Sequence, residues 1–175
     1  MWALRRFKNG GEIMPINSKQ KGSGFELKVA KQLSSWSGYK FNRTPMSGAL
    51  HWENDTRVVS DIVPPQNLKW PFSIECKKVE YDYDFTFILK GTSTFWEHWK
   101  QAKDDATREN MIPMLVFSKN YRDTHVAIQV DVFVKLFNKK EKPSYLSIHF
   151  GTDDLVVLNF EQFLESTTME DILNL

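Results

Sequence analysis

Several features are scarce in this 175-residue sequence, and each scarcity excludes a class of protein. Cys76 is the single cysteine, which rules out an intramolecular disulfide and a thiolate zinc cluster, and suits a reducing cytoplasm. No apolar run reaches the roughly 18 residues that a membrane-spanning helix needs. No secretion-type apolar segment follows the basic start of the chain. The sequence therefore predicts a soluble, cytoplasmic protein.

Excess charge of one sign is also missing, because the net charge is only +1. The distribution of charge is nevertheless uneven: residues 1–31 carry seven Lys or Arg and two acids, whereas residues 150–175 carry six acids and no Lys or Arg. Such a distribution can orient a polyanion toward one side of a neutral protein. Two solvated faces that happen to differ in charge fit the same pattern.

The remaining composition is that of one folded domain. With 41% hydrophobic and 14% aromatic residues, the chain can build a single substantial core. Residues 1–22 are rich in Gly, Lys, Asn and Gln and have no periodicity, which predicts a flexible basic arm. We expect residues 23–175 to form the single domain.

Hydrophobic periodicity predicts an α/β fold that begins with a helix. Apolar residues at helical spacing, from Phe25 to Trp36, predict the first helix from Ser23 onward. Strands RVVSDIVPP (57–65) and FSIECKKV (72–79) follow, joined by a short link that favours an antiparallel hairpin. The other predicted elements are a short strand at 39–45, a connection at 81–92, an amphipathic helix at 94–110, a buried strand at 112–118, strands at HVAIQVDVF, YLSIHF and LVVL, and a terminal helix.

The strand at 72–79 carries a candidate metal site. Side chains alternate along a strand, so Glu75 and Lys77 share one face while Ile74 and Cys76 lie on the other. Asp61 lies among apolar residues of the preceding strand, where an idle carboxylate is costly. Two carboxylates beside a lysine suit Mg²⁺, which takes oxygen ligands and retains waters. A Glu–Lys ion pair, with Asp61 as a turn residue, is the alternative.

These residues and their context resemble the D-Xn-E-x-K signature of the PD-(D/E)XK nuclease superfamily. Ser60 stands where that superfamily often has proline, at a position that is not a ligand. The resemblance implies a restriction-endonuclease-like αβββαβ core, with a central mixed β-sheet flanked by helices. A closer similarity, over roughly residues 21–120, is to archaeal Holliday-junction resolvases and related phage nucleases. The segments KGSGFELKVAKQL, RTPMSGA, IECKK and IPMLVFSKN carry it.

The resemblance implies a role for each site residue. Asp61 and Glu75 would bind Mg²⁺, or Mn²⁺ in its place, assisted by the Cys76 carbonyl, and Lys77 would orient the attacking water. Glu26 would be a third acidic residue of the active site. It also fits a capping box with Ser23 at the start of the first helix. Products would carry a 5′ phosphate, formed in a bacterial, archaeal or phage-infected cell.

Contacts to DNA are expected from polar residues around this site. Ser47 would help to hold the cleaved strand, although the Pro45–Gly48 segment also fits ordinary turn chemistry. Arg43 would contact phosphate or lie in solvent. Aromatic residues of the 94–110 helix are expected in the core, and polar residues off its apolar stripe would face the backbone. The predicted DNA-binding residues are Arg43, Ser47, Lys100, Gln101, Lys103 and Lys119.

The predicted function is a Mg²⁺-dependent DNA endonuclease that selects branched DNA as a Holliday-junction resolvase does. A less selective duplex endonuclease of phage or restriction type is the first alternative. A DNA-binding module with a vestigial nuclease site is the second. Symmetric cutting of two strands needs two sites, so a homodimer is expected, with its interface in the 81–99 region or the strands after residue 124.

Overall fold

A computed structural model of the chain describes residues 18–44, 60–80 and 83–175, with side chains from Lys21 onward. These residues form, in chain order, α1 (Ser18–Ser37), β1 (Asn42–Arg43), β2 (Ile62–Val63), β3 (Phe72–Val79), α2 (Phe85–Leu89), α3 (Thr94–Glu109), β4 (Ile112–Lys119), β5 (Thr124–Gln129), α4 (Val130–Phe137), β6 (Tyr145–Phe150), β7 (Asp153–Asn159), α5 (Phe160–Glu165) and α6 (Met169–Leu173). None of the helices in these ranges is long and apolar enough to cross a membrane.

A five-stranded mixed sheet forms the centre of the fold. Its strand order is β3-β4-β5-β7-β6, with β3 parallel to β4 and the other neighbours antiparallel. The parallel β3–β4 pair is connected through α3, which lies between them in the chain. Helices flank this mixed sheet, which confirms the predicted fold class. β3 and β6 are its two edge strands.

Two apolar layers cover the two faces of the sheet. The larger layer packs α1, α4 and α5 against one face and contains Val29, Met114 and Phe163. The smaller layer packs α3 against the other face, through Phe95, Trp99 and residues of β4, β5, β6 and β7. Phe95 and Trp99 are fully buried, as expected for core aromatics of this helix. β4 is buried along nearly its whole length, as its continuous apolar run predicts.

The first helix begins five residues earlier than predicted. It starts at Ser18, so Ser23 lies inside the helix and cannot be its N-cap. The capping-box interpretation of Ser23 and Glu26 is therefore wrong. The extra turn consists of polar residues that tolerate helical backbone but add nothing to the apolar stripe. Hydrophobic periodicity could not detect it for that reason.

The expected hairpin between 57–65 and 72–79 is not formed by the described residues. β2 consists of only Ile62 and Val63 and pairs antiparallel with β1. Asp61, just before β2, donates one backbone hydrogen bond to β3, from its N to Ile74 O at 3.0 Å. Pro64 and Pro65 follow at once, and proline has no N–H to donate to a ladder. The two prolines therefore end the strand at Val63.

Two further segments differ from the sequence-based expectation. The 81–92 connection contains the short helix α2, and the predicted strand HVAIQVDVF changes to helix α4 after Gln129. Val132, Phe133, Leu136 and Phe137 are the buried residues of α4, a spacing that places them on one helical face. Their β-branched and aromatic neighbours suggested a strand, but burial of this face against the sheet favours the helix. The YLSIHF and LVVL strands are confirmed.

Candidate active site

The candidate site lies along the outer edge of β3. The carbonyl oxygen of Ile74 accepts the Asp61 N–H, so this carbonyl points away from β4. Cys76, two residues further, donates its N–H to Asp61 Oδ2 at 2.8 Å. In a strand, the N–H and C=O of one residue point the same way. The Cys76 carbonyl therefore points to the side on which Asp61 lies.

Glu75 and Lys77 share the opposite face of β3 from Ile74 and Cys76. Glu75 pairs in register with Leu115, whose side chain belongs to the core under α3. The Lys77 ammonium forms an ion pair with Glu75 Oε1. Only 5% of the Glu75 side chain is exposed, against 24% for Lys77, so the carboxylate is buried and the ammonium reaches solvent. The alternation seen in the sequence thus places both groups together.

Burial is the largest cause of a raised pKa at both carboxyl groups. The pKa of Asp61 rises to about 7, first because the group is buried and then because the Glu75 charge is close; the Cys76 N–H opposes this rise. The pKa of Glu75 is also raised, by burial most of all, and the neighbouring Lys77 charge opposes it. A cation bound between these two carboxyl groups would stabilise their ionised forms.

Glu26 approaches the same site from α1. It is 8% exposed, and its Oε2 accepts a hydrogen bond from Arg43 Nε at 2.6 Å. The Glu26 charge contributes to the raised pKa of Asp61, which places the two acids within electrostatic reach. Arg43 binds this carboxylate and remains one-third exposed, so it occupies the border between the site and solvent.

The donors present fit a magnesium ion that keeps much of its water. Among the described residues, no three His, Cys, Asp or Glu side chains come together as a group that could hold a metal by themselves. Asp61 and Glu75 supply two carboxylates, and the Cys76 carbonyl faces the same side. Mg²⁺ is commonly bound through one or two carboxylates together with water and substrate phosphate. Burial raises the pKa of the Cys76 thiol well above 9.0, so this sulfur is not a thiolate ligand.

The predicted DNA-binding residues lie in different surroundings. Lys100 and Gln101 are exposed on α3, and Gln101 hydrogen-bonds Asp105. Lys119 is half-buried at the end of β4, next to Val79 of β3. Ser47 lies outside the described residues.

Lys103 faces away from the candidate site. Its ammonium is 2.7 Å and 2.9 Å from the two carboxylate oxygens of Asp153 at the start of β7. Trp99 Nε1 donates to Asp153 as well, at 3.1 Å. Lys103 thus binds within the protein, toward β7. Helical spacing alone placed it off the apolar stripe but could not show that an acid from β7 reaches it.

Asp105 is a site residue that the sequence reasoning missed. It lies on the buried face of α3, 8% exposed, and accepts a hydrogen bond from Arg108 at 3.1 Å. Burial raises the pKa of Asp105, and the charges of Arg108 and Lys77 oppose this rise. The Asp105 charge in turn contributes to the raised pKa of Glu75. Lys77 therefore has acidic neighbours on both β3 and α3. The available signal was an acid between Ala102 and Ala106, on the apolar stripe of the helix.

Lys78 is a second residue without a predicted role. Its ammonium donates to Ser118 Oγ at 2.9 Å and to the Lys119 carbonyl at 3.2 Å, at the ends of the parallel strands. Burial and the nearby Lys28 charge lower its pKa. The IECKK motif contains this lysine, and the structure places its ammonium on the α1 face of the sheet, over the Phe25 ring.

Comparison with known proteins shows the family to which this chain belongs. The sequence model of the family described as "Phage putative PDDEXK endonuclease" matches residues 17–174. The chain belongs to this family, which confirms the PD-(D/E)XK superfamily; the likeness to archaeal resolvases stays a prediction. Protein D14 of Escherichia phage T5 is 24% identical over 164 residues, which cover 91% of this chain and 99% of that protein. No solved structure matches.

Proposed function

We propose that this family member is a Mg²⁺-dependent DNA endonuclease that hydrolyses phosphodiester bonds at the edge of β3. One observation carries the proposal: the carboxylates of Asp61 and Glu75 meet at this edge, with the Lys77 ammonium beside them. Burial and repulsion favour a bound cation there. The complete set of these residues with Glu26 counts against a vestigial site.

Each residue has a distinct task in this proposal. Asp61 and Glu75 would hold Mg²⁺, or Mn²⁺ in its place, with the Cys76 carbonyl as a further oxygen ligand. When bound, the ion lowers the pKa of its water and offsets charge on the phosphoryl oxygens. Lys77 would exchange its pairing with Glu75 for the attacking water and the phosphate, where its charge stabilises the transition state. Glu26 and Arg43 support the arrangement from α1 and β1.

DNA would approach over the positively charged side chains around the site. Arg43, Lys78 and Lys119 lie near the ends or edge of β3, and Lys100 is exposed on α3. Charged contacts of this kind bind phosphates without reading sequence. The resemblance of Glu26 and Ser47 to the resolvase pattern supports a selective, Holliday-junction-like enzyme, in which Ser47 would hold the cleaved strand. A less selective duplex endonuclease uses the same chemistry, and only the choice of substrate separates the two.

A cleavage assay tests both levels of the proposal. The protein is incubated with a four-way junction, linear duplex or single strand, with Mg²⁺, Mn²⁺ or EDTA. We expect Mg²⁺-dependent cleavage that leaves 5′ phosphates and favours the junction. If linear duplex is cut as readily as the junction, the protein is an endonuclease but the proposed junction selectivity is refuted. Failure to cut any substrate with either ion would contradict the enzyme.

Matched variants separate the chemistry from binding. Glu75→Gln keeps the shape of the side chain but removes one ligand charge, so we expect cleavage to fall below detection. DNA binding should be retained or stronger, because a negative charge facing phosphate is lost. Asp104→Asn removes one charge at an exposed position of α3 and serves as the control. Cleavage by Glu75→Gln at the rate of this control would refute the ligand assignment.

Two further parts of the proposal concern assembly and location. Two cuts on opposite strands need two active sites, which a homodimer supplies. Membership of a phage endonuclease family supports action in the cytoplasm of an infected cell.

A further inference from the structure

The edge strand β6 has an unpaired side. It pairs antiparallel with β7 along all six of its residues, from Tyr145 to Phe150, and it ends the sheet. Between the described residues, no backbone hydrogen bond outside that ladder involves 145–150. Alternate residues of such a strand direct N–H and C=O groups away from the sheet. These groups form a row that another strand can pair with.

β6 lacks the usual features that protect an edge from pairing. Its sequence, YLSIHF, contains no Lys, Glu or Pro, and every residue except Ile148 is exposed. Natural edge strands that stay unpaired are commonly short, bulged, or marked by lysine or proline. Pro143 lies outside the strand and leaves its six residues free to pair. A strand of this length without Lys, Arg, Asp or Glu favours pairing with another strand.

Exposed apolar side chains lie on this edge and on the nearby helix α2. Leu146 and Phe150 are 42% and 40% exposed, and they lie on the face that α3 covers elsewhere. Phe150 stacks on Trp96 at a centroid distance of 4.7 Å and lies directly over Gly91, just beyond α2. That helix exposes Phe85, Phe87 and Leu89 by 50–58%. Exposed apolar groups of this number around one edge are typical of an interface.

We propose that β6 pairs antiparallel with β6 of a second copy of this chain, across a twofold axis, which continues the sheet between two subunits. This deepens the homodimer of the proposed function. A twofold axis requires residues on the same face to oppose each other. With Ile148 on the axis, Leu146 lies opposite Phe150 of the partner subunit, and the exposed apolar side chains cover each other.

The sequence of β6 favours a second copy of this chain as its pairing partner. A partner strand that fits this edge alternates apolar side chains in step with Leu146, Ile148 and Phe150 and brings no Lys, Arg, Asp or Glu against them. β6 itself has this pattern, and antiparallel self-pairing satisfies the two rows of backbone groups at once. His149, which pairs with Asp154 of its own subunit, lies on the other face of the strand. The active site is at β3, the opposite edge of the sheet. Each subunit therefore keeps its own complete site, and the dimer provides two.

The oligomeric state of the full chain tests this interface. Sedimentation equilibrium, without DNA or metal, is measured from about 0.1 to 100 µM protein, because association depends on concentration. We expect a wild-type dimer. Leu146→Lys should raise its dissociation constant about tenfold or more, because pairing would bury an unmatched charge. Leu173→Lys is the matched control, since Leu173 is also 42% exposed but lies on α6. It should remain dimeric.

Hydrogen exchange supplies a readout that needs no variant. In the dimer, amides that face outward in residues 145–150 should be protected, and dilution to monomer should remove this protection. A monomer at all concentrations would overturn the proposal, as would a dimer that Leu146→Lys leaves intact or one without concentration-dependent protection at β6. Because no DNA is present, these outcomes do not depend on cleavage. If the protein dimerises through β6 but cuts no DNA, only the proposed nuclease activity is refuted.

Discussion

Removal of the Asp61 charge should stabilise the protein when no divalent ion is present. The substitution Asp61→Asn keeps an oxygen that can accept the Cys76 N–H but removes a charge buried beside Glu75. The pKa of Asp61 is about 7 in the folded chain, against 3.8 for the ordinary group. One pH unit corresponds to about 1.4 kcal/mol, so ionisation of this group costs the folded state at most about 4 kcal/mol.

The pH dependence follows from the direction of this change. From about pH 4 to pH 7 the folded state holds the proton on Asp61 more tightly than the unfolded state does. The stabilisation is complete below pH 4 and is lost as the pH rises through 7. The wild type should therefore lose roughly 2 to 3 kcal/mol of unfolding free energy between pH 5 and pH 8, relative to Asp61→Asn.

Urea unfolding in EDTA at pH 5 and pH 8 measures this difference. Asp104→Asn, at an exposed position of α3, controls for the change of net charge and should follow the wild type. Addition of Mg²⁺ at pH 8 should then stabilise the wild type, because ligands that bind the folded state favour it, but not Asp61→Asn. Parallel pH profiles for the wild type and Asp61→Asn would refute the reasoning.

Three further substitutions test the surroundings of the site and the fold. Lys77→Gln should lower the single-turnover cleavage rate about 10²-fold to 10³-fold, while stabilisation by Mg²⁺ persists in urea unfolding; an unchanged rate would exclude Lys77 from the chemistry. Asp105→Asn removes a charge that contributes to the raised pKa of Glu75, so the acidic limb of the cleavage–pH profile should move to lower pH. An acidic limb at the wild-type pH would contradict an effect of Asp105 on the active site. Gly91→Ala should destabilise the fold by about 1 to 3 kcal/mol in urea, because φ is +70° and a Cβ would lie 2.1 Å from the Phe150 ring; unchanged stability would contradict this packing.

Local sequence patterns were sufficient for many of the elements and for the placement of Glu75 and Lys77 on one face of β3. The apolar run of β4 and the stripe of α3 predict those elements, because burial repeats with the period of the backbone itself. The same alternation brings Glu75 and Lys77 to one face of β3 without any knowledge of the fold. The patterns failed at α4, whose residues fit both the helical and the strand period. They also failed at the start of α1, where polar residues from Ser18 onward extend the helix without adding to its apolar stripe.

The sequence by itself determined the kinds of groups at the site and the face of the strand on which two of them lie. Tertiary structure decided which groups meet there. A hydrogen bond to Ile74 brings Asp61 to β3, an ion pair with Arg43 holds Glu26, and α3 adds Asp105 while Lys103 turns to Asp153. Side-chain direction along one element depends on local backbone geometry, whereas the neighbour of each side chain depends on how distant elements pack.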